Sequence, residues 1–226
     1  MGKKRQGAKK LTLAEYRQAF SGRVYGPSRD ELALQLALDI RKFEIDLYWK
    51  RAGYFWTIVT AALAGYLAVM GIDKYEYRAP ALLLITSFGL TCSVAWYLVN
   101  RGSKHWQNNW ENHVDLLEDS VVGPLYKTIV RDDNAAWWRF WTSHPYSVSK
   151  LNQLVSLFVL GLFAILYEQT LQRQYVVPRT WLAVDGFATS IVLLTTLAVL
   201  SLLWFGRTGR IDESKRVTAE GRVTEL

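Results

Sequence analysis

Four long charge-free stretches constrain this chain of 226 residues more than any other feature. AGYFWTIVTAALAGYLAVMGI lies between Arg51 and Asp73, and APALLLITSFGLTCSVAWYLVN between Arg78 and Arg101. LNQLVSLFVLGLFAILY lies between Lys150 and Glu168, and a run from Trp181 to Phe205 is interrupted only by Asp185. A helix needs about 20 apolar residues to cross about 30 Å of hydrocarbon at about 1.5 Å per residue. The third run is short, so it is expected to borrow from its flanks or to cross a thin bilayer or at a tilt. The fold expected is all-α: a polytopic membrane protein with four transmembrane helices, over 52–72, 79–100, 151–168 and 181–206, and cytoplasmic helical extensions. Aromatic residues that favour the headgroup level stand at the boundaries: Tyr54, Phe55, Trp56, Trp96, Tyr97, Trp181 and Trp204.

Basic residues set the orientation, because Lys and Arg near a span resist translocation. Twelve precede the first span, six lie from Arg101 to Lys150 and five follow Phe205, against two in each remaining connection. Both termini and the central segment are therefore expected in the cytoplasm, with Asp73 to Arg78 and Glu168 to Arg179 facing outward, in a bacterial inner membrane. The net charge of +7 reads as a topology and anionic-lipid signal, so the partners expected are copies of the chain and membrane lipids, not nucleic acid. Residues 1–27 read as a basic tail whose Lys3, Lys4, Arg5, Lys9 and Lys10 suit lipid headgroups or a solvated segment, and residues 207–226 as a second tail. No secretory signal core precedes the first span, and Gln6 replaces the Ser or Thr of a myristoylation start.

Ser28 and Glu31 form a capping-box pattern, and no proline follows until well past Gly71. Residues 28–51 are therefore expected to form a cytoplasmic helix continuous with the first span. On it Ala33, Leu36, Ile40, Phe43 and Leu47 recur at steps of three and four, the spacing of a packing seam within the chain or between subunits. A second cytoplasmic helix and turn is expected over 103–130, ended by Gly123-Pro124, with Trp106, Trp110, Val114, Leu117 and Val121 on one face. The simplest packing sets that face on the Leu36 to Leu47 stripe and brings Glu111, Asp115 and Glu118 near Arg41, Lys42 or a neighbouring subunit. Residues 131–150, with Trp137, Trp138, Phe140 and Trp141 beside Arg131 and Arg139, suit an interfacial helix, and Ser143, Pro145, Ser147 and Ser149 supply turn and cap chemistry after it.

Catalytic apparatus is not visible: the chain shows no phosphate loop, nucleophile elbow or paired intramembrane carboxylates, so no enzyme and no cofactor are expected. His105, Asn109 and His113 stand at i, i+4 and i+8, which puts side chains on one face, but without HExxH order or a carboxylate at the matching step. Packed or hydrogen-bonded histidines are the expectation there. Cys92 is the only cysteine, which excludes an intrachain disulfide. Asp185 is the one ionisable residue within a span, about a turn from Trp181, and reads either as a carboxylate snorkelling to the outer interface or as a pore-vestibule group selecting cations. Small and hydroxyl residues such as Gly65, Gly89, Thr195 and Thr196 suit close helix contact.

LDIRKFEIDLYWKRAGYFW and AWYLVNRGSKHWQNNWENHVDLLEDSVVGPLYK, together spanning Leu38 to Lys127 in two pieces, resemble the bacterial RipA family of octameric inner-membrane proteins. WKRAxYFW, NRGSKxWQxNWExHxxxLED and GPLYK carry the resemblance in combination. It implies a cytoplasmic-membrane homo-oligomer without an established reaction, linked in intracellular bacteria to growth within host cells, and it offers no catalytic residues. The second hairpin, Leu151 to Phe205, lies outside the resemblance. The function expected is a homo-oligomeric inner-membrane scaffold or channel-like assembly with a cytoplasmic helical collar. The alternatives are a pore-forming effector of a bacterial conflict system, similar in plan only, or a small secondary transporter.

Overall fold

The computed structural model describes residues 9–20, 28–72, 77–128, 146–173, 186–207 and 219–221. The described chain is almost wholly helical: α1 (Leu13–Phe20), α2 (Arg29–Met70), α3 (Arg78–Val121), α4 (Val148–Leu171) and α5 (Gly186–Phe205). Two three-residue strands, β1 (Lys9–Leu11) and β2 (Ala219–Gly221), pair antiparallel with Leu11 opposite Ala219. The last four helices are each long and apolar enough to cross a membrane.

Local chemistry explains the ends. The capping box before α2 is closed: the Ser28 amide donates to Glu31 Oε2 at 2.8 Å, and the Glu31 amide reaches Ser28 Oγ at 3.4 Å. Gly123, at φ +77°, takes the left-handed conformation that stops α3, and its amide donates to the Glu118 carbonyl at 2.9 Å. Ser147 caps α4 through the Lys150 amide. Pro80 sits in the first turn of α3, where a missing N–H costs nothing.

One boundary differs from the expectation. The second apolar run and the amphipathic segment after it form a single 44-residue helix, not two elements meeting near 101–103. The sequence between Pro80 and Gly123 contains no proline, and Gly102 alone costs only about 1 kcal/mol relative to Ala, too little to break a helix anchored on both sides. α4 also begins three residues before the apolar run and ends three past Glu168, so the third span does borrow from its flanks.

The chain divides into two compact units. The first comprises Met1–Glu44, Trp106–Asn134 and Arg210–Leu226. Its core is Tyr16 from α1, Leu34 and Ala37 from α2, and Val114 and Leu117 from α3. The second comprises Ile45–His105 and Ala135–Gly209. There α3 is the central helix: 44% of its most apolar stretch is buried, against 17%, 17% and 11% for those of α2, α4 and α5. Trp96, fully buried, packs with Val59, Ala62 and Phe163, stacks on Phe55 and meets Trp56 edge-on. The Phe163 ring of α4 lies directly against the α3 backbone at Gly89, where a Cβ would overlap it.

Replacing Gly89 with Val should therefore separate α3 from α4. The thermal unfolding midpoint in detergent should fall, with destabilisation of about 1–3 kcal/mol, and a Gly89→Ala/Phe163→Leu pair should recover part of the loss.

Candidate functional site

Three constellations stand out, two in the first unit and one in the second. The first is the seat of α1. Thr12 and Glu15 form a capping box, with the Thr12 amide on Glu15 Oε2 at 2.8 Å and the Glu15 amide on Thr12 Oγ1 at 3.2 Å. Tyr16, 3% exposed, then enters the core, and its hydroxyl pairs with His113 Nδ1 at 2.6 Å. Trp110 closes over the imidazole from its own helix, ring centres 5.3 Å apart. Burial raises the Tyr16 pKa to about 12 and pushes that of His113 below its usual value, so a neutral imidazole is favoured. His113 is thus a packed, hydrogen-bonded residue. His105 lies eight residues away, about 12 Å along the axis, too far to share one ion with it. No group of three potential ligands occurs among the described residues.

The second constellation ends α3. Glu118 is fully buried and accepts from the amides of Tyr126 at 2.6 Å and Lys127 at 3.2 Å, holding the GPLYK turn against the helix. Lys127 Nζ binds Asp119 at 2.7 Å. Arg41 of α2 reaches Glu111 at 3.7 Å and lies over the Tyr126 ring at 5.6 Å. The Arg41–Glu111 pair is part-exposed, so it orients the helices more than it stabilises them, at about 0–1 kcal/mol. Burial, followed by the Glu118 charge, raises the Asp115 pKa. Lys42 is exposed.

The apolar faces meet differently from the simplest packing. Val114 and Leu117 pack on Leu34 and Ala37, with Trp110 and Val121 alongside, and not on the stripe from Leu36 to Leu47. Leu36 and Phe43 are 61% and 59% exposed, Ile40 and Leu47 are half-buried, and Trp106 is exposed. The first part of α2 carries two apolar faces. The one containing Leu34 and Ala37 packs on α3, and Leu36 and Phe43 are left on the other.

The third constellation joins α2, α3 and α4 in the second unit. Asn152 Nδ2 donates to the Tyr48 hydroxyl at 2.8 Å and to Asn100 Oδ1 at 3.1 Å, with all three side chains buried. Beside them Arg51 donates to Ser103 Oγ at 3.0 Å. By contrast, many hydroxyls within the spans return to their own helix: Thr86 to Leu82, Ser93 to Gly89, Thr170 to Leu166 and Thr195 to Ile191, each at 2.7–2.8 Å to the carbonyl.

Sequence reasoning missed Tyr16, Tyr48, Asn100 and Asn152. Thr12-x-x-Glu15 ahead of Tyr16 signalled α1, and asparagine at the edge of an apolar run is costly unless paired, which marked Asn100 and Asn152. Asp185 and Arg131, Trp137, Trp138, Arg139, Phe140 and Trp141, the last six expected at the membrane surface, lie outside the described residues, as do the connections over 73–76 and 174–185.

Acid should loosen α1. The folded His113 pKa is depressed below the unfolded value near 6.5, so its contribution is present above that value and is lost as pH falls through the folded pKa. Amide hydrogen exchange over Leu13–Phe20, corrected for intrinsic rate, should accelerate between pH 7.5 and 5.5 relative to α2, and His113→Gln should flatten that dependence.

Compared with known protein families, the chain matches the sequence model of the octameric membrane protein family, 8xMP, over residues 31–171. The fit takes in α4, which the resemblance over Leu38 to Lys127 left out, while α5 lies beyond it. No curated protein and no solved structure matches the chain.

Proposed function

The chain belongs to the octameric membrane protein family, and from that premise we propose that it works as a non-catalytic homo-oligomeric scaffold, eight copies closing into a ring in a bacterial inner membrane. The four spans form the ring. The cytoplasmic parts of α2 and α3 form its helical collar, with both termini on that side and anionic headgroups meeting the basic flanks of the spans.

The observation that carries this reading is helix length. α2 and α3 hold 42 and 44 residues, about 63 and 66 Å at the helical rise, where about 30 Å crosses the hydrocarbon. The excess is structured: Leu34, Ala37, Val114 and Leu117 bury one another and seat α1. Each copy therefore offers its neighbours a folded helical pair outside the apolar layer as well as spans within it.

A scaffold ranks above a channel because many described span hydroxyls donate to carbonyls of their own helix. In a channel, Asp185 is the carboxylate that would select cations. A pore-forming effector shares the need for a conducting path. A transporter would need broken helices or a polar site at mid-membrane.

Purified complex in planar bilayers tests the choice. The scaffold reading expects conductance indistinguishable from protein-free bilayers; stepwise cation-selective currents, reduced by Asp185→Asn, would replace it with the channel.

A further inference from the structure

A helix on a protein surface normally buries one apolar stripe and turns a polar face outward. The first part of α2 departs from that rule. Leu34 and Ala37, 4% and 3% exposed, point into the core of the first unit. Leu32, Leu36 and Phe43 stand about half a turn away around the helix axis, at 43%, 61% and 59% exposure. Their steps of four and seven keep them on one line, with exposed Asp39 and Lys42 beside it. Three large apolar side chains aligned on the side opposite the core form a ridge that nothing among the described residues covers.

We infer that this ridge is where a second copy of the chain docks, an assignment that rests on the oligomeric reading above. Copies inserted with one orientation can be related only by rotation about the membrane normal, so eight of them close as a cyclic ring. In such a ring each contact is head to tail, one surface meeting a different surface of the next copy. The ridge then lies against its neighbour along about 16 Å of helix, the rise between Leu32 and Phe43. This accounts for the sequence pattern as well. Leu36, Ile40, Phe43 and Leu47 keep a three-four repeat although the chain's own core takes Ala33, Leu34 and Ala37 of α2. Ile40 and Leu47, half-buried, border the ridge on one flank, and Asp39 and Lys42 supply a polar rim on the other.

The test uses the full chain, extracted in detergent or held in nanodiscs. A benzophenone amino acid at position 43 should give, on irradiation, covalent dimers and higher products between copies. The same group at position 96, in place of the fully buried Trp96, should give intramolecular products only. Leu36→Glu/Phe43→Glu should reduce the oligomeric species at least tenfold in native mass spectra, with helical content by circular dichroism unchanged, while Gln35→Glu at a neighbouring exposed position should leave it intact. Wild-type oligomer without intermolecular product from position 43, and with assembly unaffected by the double substitution, would overturn the inference while sparing the oligomer. A wild-type chain that is monomeric in both media would remove the oligomeric reading and the ridge assignment with it. Should the double variant fail to fold, the cross-linking at positions 43 and 96 decides alone.

Discussion

Hydrocarbon offers no partner for a backbone amide or carbonyl, so every such group in a span must be bonded within its own helix. That requirement shapes more of this protein than any side-chain contact. It makes the apolar runs helical, and with no proline in either interior the same hydrogen-bond ladder continues past them for several turns in α2 and α3. It also governs the polar residues inside the spans, where Ser and Thr can hydrogen-bond the carbonyl one turn back. What remains for side chains to specify is which helices approach which. Gly89 admits Phe163, Trp96 fills the space between α2 and α4, and the Tyr48–Asn152–Asn100 bonds fix the three helices at one level.

Outside the spans the design changes from packing in an apolar medium to burial from water. Among the described residues, the first unit has a small buried core, Tyr16, Leu34, Ala37, Val114 and Leu117 from three helices, and it needs fixed ends to hold. Glu118 supplies one by binding the backbone of the GPLYK turn, and the Ser28–Glu31 box supplies another. A core this small, built on helices that carry a second apolar face, is what a subunit looks like when part of its burial is deferred to assembly. In the scaffold reading proposed here, function would follow from surface and not from a reactive group, the protein holding a defined arrangement of copies in a membrane.

Much of the architecture was legible in the sequence, for physical reasons that can be named. Charge-free runs of the length of a bilayer leave few alternatives, and Ser28–Glu31 and Gly123-Pro124 mark helix ends by specific hydrogen bonds. The continuity of α3 through Arg101 was not read, because a change from apolar to charged composition looks like a boundary although it carries no backbone signal. The pairing of faces was not legible either. Periodicity found both the Leu36–Phe43 stripe and the Val114–Leu117 stripe, but α2 has two apolar faces, and periodicity alone does not say that α3 takes the one with Leu34 and Ala37. Tyr16 was hidden in a segment dominated by basic residues, where one aromatic on a short helix gives little periodic signal. At the candidate site, Glu118 was singled out for its charge, whereas its role is to cap a turn, a geometry that depends on how the chain folds back after Gly123.

The most direct test of the account is the mass of the complex after its lipids are stripped, by native mass spectrometry from nanodiscs. The account predicts a single dominant species at eight times the 25.9 kDa chain mass. A monomer or dimer as the largest species would contradict it, because neither would cover the outward ridge of α2 in a closed ring.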